Sequence, residues 1–138
     1  MTKEFVFQYM KRSKLAVLAS INHLGRPESA LIGVAFSEDL EIVFDTVKSS
    51  RKYKNILKNP LVAFVIGWED ESTLQFEGIA HELNGEEGKK YKEIYFEAYP
   101  DGRQRDSNWP DIVHFVVRPK WIRYSNFLEP QVIEEMTF

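Results

Sequence analysis

From Lys14 to Ile21 the chain reads KLAVLASI, apolar on both alternating sets of positions, as in a strand covered on two faces. Asn22 to Pro27 supplies turn chemistry. Ser29 to Phe36 (SALIGVAF) then returns as a second strand, in which Gly33 signals a bulge or the close approach of another group. After the polar turn Ser37-Glu38-Asp39, a third strand runs from Leu40 to Thr46. Ahead of this meander, Thr2 is placed to cap a short helix reaching about Arg12, with Phe5, Val6, Tyr9 and Met10 on one face toward a sheet.

A second helix is expected from about Ser50 to Asn59-Pro60, where proline disfavours helical geometry in the residue before it. On a helical wheel Tyr53, Ile56 and Leu57 gather on one side, opposite Arg51, Lys54 and Lys58. Leu61 to Trp68 reads as a fourth strand, Glu69 to Ser72 as a polar turn, and Thr73 to Leu83 as a fifth strand whose alternation breaks at Gly78, the mark of a bulge. Glu86 to about Tyr99 reads as a helix stopped by Pro100, and Asp101 to Asp111 (DGRQRDSNWPD) as a long polar loop. Two more strands, Ile112 to Arg118 and Trp121 to Phe127, are separated by Pro119-Lys120, and the tail from Leu128 either covers a neighbour or frays. Seven strand candidates joined mostly by short turns predict a mainly β fold: an antiparallel six- to seven-stranded barrel with peripheral helices, in one domain over residues 1–138.

Composition narrows the function. With no cysteine there is no thiolate metal site, disulfide framework or cysteine nucleophile, which suits a reducing compartment. The N-terminus has no signal-peptide pattern and no apolar run approaches the roughly 20 residues that span a bilayer, so a cytoplasmic protein without membrane partners is expected. A net charge of −3 gives no global electrostatic case for nucleic acid. His23, His81 and His114 fall on separate elements and lack metal-ligand spacing. There is no G-x-S-x-G elbow, no G-x-G-x-x-G and no complete nucleotide-triphosphate loop, since Gly85 to Lys90 lacks both the gap and the hydroxyl residue.

One feature remains chemically odd. Ser49-Ser50-Arg51-Lys52 puts two cations in the first turn of a helix, where the partial positive charge of the free N–H groups favours Asp or Glu. An anion at that helix start, held by backbone N–H groups, the hydroxyls of Thr46, Ser49 and Ser50 and both side chains, would reverse the penalty; phosphate fits best. A solvated basic face is the plain alternative and accounts well for Lys54 and Lys58, less well for Arg51 and Lys52.

The order of Gly25-Arg26-Pro27, Gly33-Val34-Ala35-Phe36, Leu40 to Thr46, Lys48 to Pro60 and Phe76 to Ala80 resembles the FMN-binding split-barrel family of pyridoxamine 5′-phosphate oxidase-like proteins. The resemblance runs over roughly Leu15 to Leu83 and more loosely to Phe127, and its most specific piece is a strand ending in Thr, then S-R-K, then a short helix closing on N-P. It implies that Ser50, Arg51 and Lys52 bind the FMN phosphate, that Asp45 and Thr46 contact the flavin or its ribityl chain, and that Gly33, Val34 and Ala35 pass along the ring. It further implies a homodimer with the cofactor between subunits, Thr73 and Gln75 acting from the second chain and Tyr124 bordering the ring.

The implied activity is that of an FMN-dependent oxidoreductase exchanging hydride with a small organic substrate. The other outcome is a non-catalytic module for flavin, the deazaflavin F420 or haem. The chain ends Glu134-Glu135-Met136-Thr137-Phe138, without the basic R-L-H-D-R segment that binds substrate phosphate in pyridoxamine 5′-phosphate oxidases, which speaks against vitamin B6 oxidation.

Overall fold

The computed structural model describes all 138 residues. Helix α1 (Lys3–Lys11) precedes strands β1 (Leu15–Ile21), β2 (Pro27–Gly33), β3 (Ala35–Phe36) and β4 (Ile42–Val47). Helix α2 (Arg51–Lys58) leads to β5 (Leu61–Ile66) and β6 (Ser72–Glu82), and a helical pair, α3 (Gly85–Ala98) and α4 (Pro100–Asn108), leads to β7 (Ile112–Asn126) and β8 (Val132–Thr137). The strands form one antiparallel sheet in the order β2-β1-β5-β6-β7-β4-β3, with β8 added on β7.

The two ends of that order are one stretch of chain. SALIGVAF is a single run in the sequence, but it changes partner at Val34: Gly33 pairs with Leu15 on β1, Val34 N–H still donates to the Lys14 carbonyl at 3.0 Å, and Ala35 pairs with Val43 on β4. The sheet therefore curls until its edges meet in this run, and with β2 and β3 counted together it is a six-stranded barrel, as the strand pattern predicts.

Alternate residues fill the interior. Leu18, Phe44, Phe64, Phe76, Phe115 and Ile122 are all nearly inaccessible, and Phe44 stacks on Phe115 at 5.4 Å between ring centres while Phe64 meets Phe76 edge-on at 5.8 Å. Helix α1, capped by Thr2 as predicted, closes one end with Val6, Tyr9 and Met10; Ile56 and Tyr53 of α2 close the other. Such a side-chain cap stabilises a helix by about 1 kcal/mol. Outside the barrel, Ala35, Val43 and Val116 form a second small core under Tyr91, Tyr95 and Phe96 of α3.

Two expectations are corrected, and a third, open between two outcomes, is decided. The polar segment Asp101 to Asp111 is mostly helix, because Pro100 starts α4 and the Arg105 guanidinium bonds the Asp101 carboxylate at 2.6 Å within it. The two C-terminal strands are one, β7, which runs through Pro119: Glu77 faces Trp121 while Gly78 faces Pro119, so Lys120 is the extra residue of the bulge expected at Gly78. That bulge is also where β7 changes its second partner, from β4 over residues 112–117 to β8 over residues 121–126. The tail does not fray, since Val132 to Thr137 is that strand β8.

Candidate functional site

Strand β4 ends at Val47 and the chain turns directly into α2, so the strand end and the helix start form one corner. Ser50 is the N-cap: its Oγ accepts from Tyr53 N–H at 3.2 Å and lies 2.9 Å from Thr46 Oγ1, a side chain almost fully buried. No acidic residue occupies the first turn. Arg51 and Lys52 stand there instead and line a small cavity of about 110 Å³ with Ser20, Glu28, Ser29 and Ala30. The helix N-terminus, the Thr46 and Ser50 hydroxyls and the two cations thus stand at one strand-to-helix corner, and of these side chains Arg51 and Lys52 line the cavity.

The corner also holds a carboxylate. Arg51 Nη1 lies 3.3 Å from Glu28 Oε2, and that carboxylate accepts from Asn55 Nδ2 at 2.8 Å and from Asn22 Nδ2 at 3.0 Å. Asn55 further donates to Ser20 Oγ at 3.1 Å, tying α2 to the barrel wall. The amide bonds, and after them the Arg51 charge, hold Glu28 below the usual carboxylate range. Sequence reading passes over Ser20, Glu28 and Asn55. Two of them carried a signal: Ser20 is a polar position in an otherwise apolar strand, and Asn55 stands four residues after Arg51 on the same helix face.

The other predicted site residues are placed elsewhere. Asp45 points to the opposite side of β4 from Thr46, where its carboxylate accepts from Tyr95 Oη at 3.1 Å and from Arg105 Nη2 at 3.2 Å. Burial, then the Asp45 charge, push the Tyr95 hydroxyl far above the usual phenol range. Gly33 does admit a close neighbour, but that neighbour is Tyr99: a Cβ built on Gly33 would stand 3.0 Å from its ring, and the Tyr99 hydroxyl bonds the Lys14 carbonyl. Val34 and Ala35 are buried, one in the barrel core and the other under α3. Leu57, grouped with the apolar face of α2 on the wheel, is instead exposed.

Thr73, Gln75 and Tyr124 lie toward the far end of the barrel from Arg51. The ladder fixes this, because Gln75 is level with Val65 and Val17, at the α1 end, whereas Ser20 stands beside Glu28 at the α2 end. Tyr124 packs edge-on against Phe5 and Tyr9 of α1, at 5.0 and 5.2 Å between ring centres. Gln75 is exposed. Thr73 Oγ1 is buried without a hydrogen-bond partner. Within one chain these residues do not meet the α2 corner.

No curated protein matches this chain in sequence. Solved structures do match its fold. A haem-binding protein from Mycobacterium smegmatis superposes with a TM-score of 0.84 at 13% identity over 99% of this chain, which spans only 58% of that protein. HutZ, the haem storage protein from Vibrio cholerae, gives a TM-score of 0.73 at 17% identity over 85% of this chain and 89% of its own. A pyridoxamine 5′-phosphate oxidase-related, FMN-binding protein from Nostoc punctiforme gives 0.72 at 11% identity, covering 98% of this chain and 93% of that one. At these identities the likeness is one of fold, a split barrel with peripheral helices. The pyridoxamine 5′-phosphate oxidase family model matches residues 2–126, nearly the whole length of a chain with this barrel, and the protein belongs to that family.

Proposed function

We propose that this protein binds FMN between two copies of itself and serves as an oxidoreductase for a small organic partner. The observation that carries the reading is the α2 corner, where Arg51 and Lys52 line one small cavity beside the Ser50-capped helix start and the Thr46 hydroxyl. The corner suits a phosphate. Lys52 forms no ion pair, and Arg51, with a side chain 77% exposed, is free to turn from Glu28 because Asn22 and Asn55 continue to satisfy that carboxylate. Ser50, Arg51 and Lys52 would hold the phosphate, with Thr46 fixing Ser50.

The rest of the cofactor needs walls that one copy does not bring to that corner. The exposed Gln75 is suited to act from the second copy, and Thr73 shares its face of β6. Bound flavin supplies hydride chemistry at its N5; the chain supplies phosphate capture, orientation and a shaped cleft.

Titration of FMN into the apoprotein, followed by quenching of flavin fluorescence, tests the reading. Arg51→Ala should weaken binding about tenfold or more, while Lys54→Ala, one turn further along α2, should change it less than twofold. Equal losses would sink the corner geometry, and absence of FMN binding by the wild type would sink the cofactor. Reduction of bound flavin by NADH or NADPH with turnover of an acceptor then separates an enzyme from a carrier. The haem-binding and haem-storing neighbours support a second reading, a non-catalytic haem module. A Soret band in place of flavin absorbance in the purified protein would favour it.

A further inference from the structure

Glu28 stands where an incoming phosphate is drawn. Its side chain is 18% exposed and pinned by two amides, whereas Arg51 beside it is 77% exposed. The carboxylate is thus the fixed member of the pair and the guanidinium the movable one. Two other basic groups are near, Lys52, which lines the same cavity, and His23 in the β1–β2 turn. A phosphate monoester brings about −1.5 to −2 charges at neutral pH. To take Arg51 it must compete with Glu28, and once seated it lies near a carboxylate that does not leave.

Resting on the FMN reading above, we propose that Glu28 is a guard carboxylate, holding Arg51 while the site is free so that the protein takes up and releases its phosphorylated cofactor as an exchangeable ligand. The amides make the device work. Asn55, anchored to Ser20 on the barrel wall, and Asn22 in the turn keep the carboxylate in position when Arg51 swings away. The amide bonds and the Arg51 charge also keep it ionised across the neutral range, so the guard stays charged in the conditions under which phosphate is a dianion.

Parallel titrations with FMN and with riboflavin, which lacks the phosphate, test the guard in wild type and in Glu28→Gln. Glutamine keeps the Oε1 acceptor for Asn55 and removes the charge, at the cost of the Oε2 acceptor that Asn22 uses. The FMN Kd should fall about tenfold and FMN release should slow, with riboflavin binding unchanged. In an Arg51→Ala background the gain should shrink. Equal or weaker FMN binding by Glu28→Gln overturns the guard and leaves the FMN reading standing. A gain shared by riboflavin overturns it as well, since packing rather than charge would be responsible. An undiminished gain without Arg51 overturns the holding of that side chain. Failure of both proteins to bind FMN overturns the cofactor reading itself, and the guard with it.

Discussion

His114 lies on β7 with no side-chain exposure, between Tyr95 and Phe96, each ring centre 5.6 Å away. Neither ring nitrogen has a hydrogen-bond partner, and the Asp106 carboxylate is 3.9 Å from Nδ1. Burial pushes its pKa below the ordinary 6.5, against the pull of Asp45 and Asp106 and with the help of Lys92 and Arg105. The unfolded chain therefore takes up a proton near pH 6.5 while the folded one stays neutral, so stability falls as the pH drops below that value. Urea midpoints should decline between pH 6.5 and about 5 in wild type, and His114→Phe, which fills the same aromatic slot, should abolish that decline. Persistence of the decline in the variant would refute the assignment. Glu28, Asp39, Glu93 and Glu135 are held below their ordinary carboxyl range, so their stabilisation is lost only in a lower window. At this scale the cations of the site were legible in the sequence and their carboxylate was not. Arg51 and Lys52 break a local rule of helix electrostatics, whereas Glu28 gains its meaning only when β2 pairs beside β1 and α2 docks on Ser20.

Among the elements, those with an apolar period could be read and those built from polar tertiary contacts could not. Helix α4 has no apolar stripe. Its order comes from the Asp101–Arg105 pair, the one local signal at i, i+4, and from Arg105 reaching Asp45 and Lys92 of α3 reaching Asp106 at 3.4 Å, which no local pattern encodes. The long strand β7 was hidden by Pro119, which has no N–H to give a ladder and therefore reads as a break; the structure tolerates it by placing it at the bulge opposite Gly78. Gly78 is the fixed side of that arrangement. A Cβ there would overlap the Arg118 carbonyl oxygen and stand 2.8 Å from the Phe76 ring, neither of which can yield cheaply. Gly78→Ala should lower unfolding stability by roughly 2–3 kcal/mol in urea denaturation. A loss under about 0.5 kcal/mol would mean that the bulge relaxes freely.

For the whole molecule, the barrel was legible because strand spacing and turn chemistry specify it, whereas a second copy is expected only through resemblance. The structure offers one face on which to test it. Leu31, Val17, Val65, Ala19 and Ala63 share the outer face of β2, β1 and β5 by register, and Leu15, Leu31, Leu61 and Val65 are well exposed there. A face of that kind favours association. If the proposed dimer uses it, Leu61→Lys with Val65→Lys should halve the mass in sedimentation and weaken FMN binding in the same protein, with the circular dichroism spectrum unchanged. A dimer that survives both charges would exclude this face. No helix of the molecule is long and apolar enough to cross a membrane, so the exposed leucines are not part of a helical span.

The change of partner at Val34 also dictates an order of assembly. The β1–β2 and β3–β4 pairings join neighbours in the chain, and both are complete once Val47 has been made. The ladder that turns the sheet into a ring joins β4 to β7, Ile42 to Val117, across a span whose closure entropy must be met late. A nascent chain that has passed β6 but not β7 therefore carries an open sheet with two bare edges and Phe44 and Phe76 still lacking their cover from Phe115 and Ile122. The last third of the chain acts as a wedge, and until it is synthesised the protein is exposed to edge-to-edge pairing with its own copies.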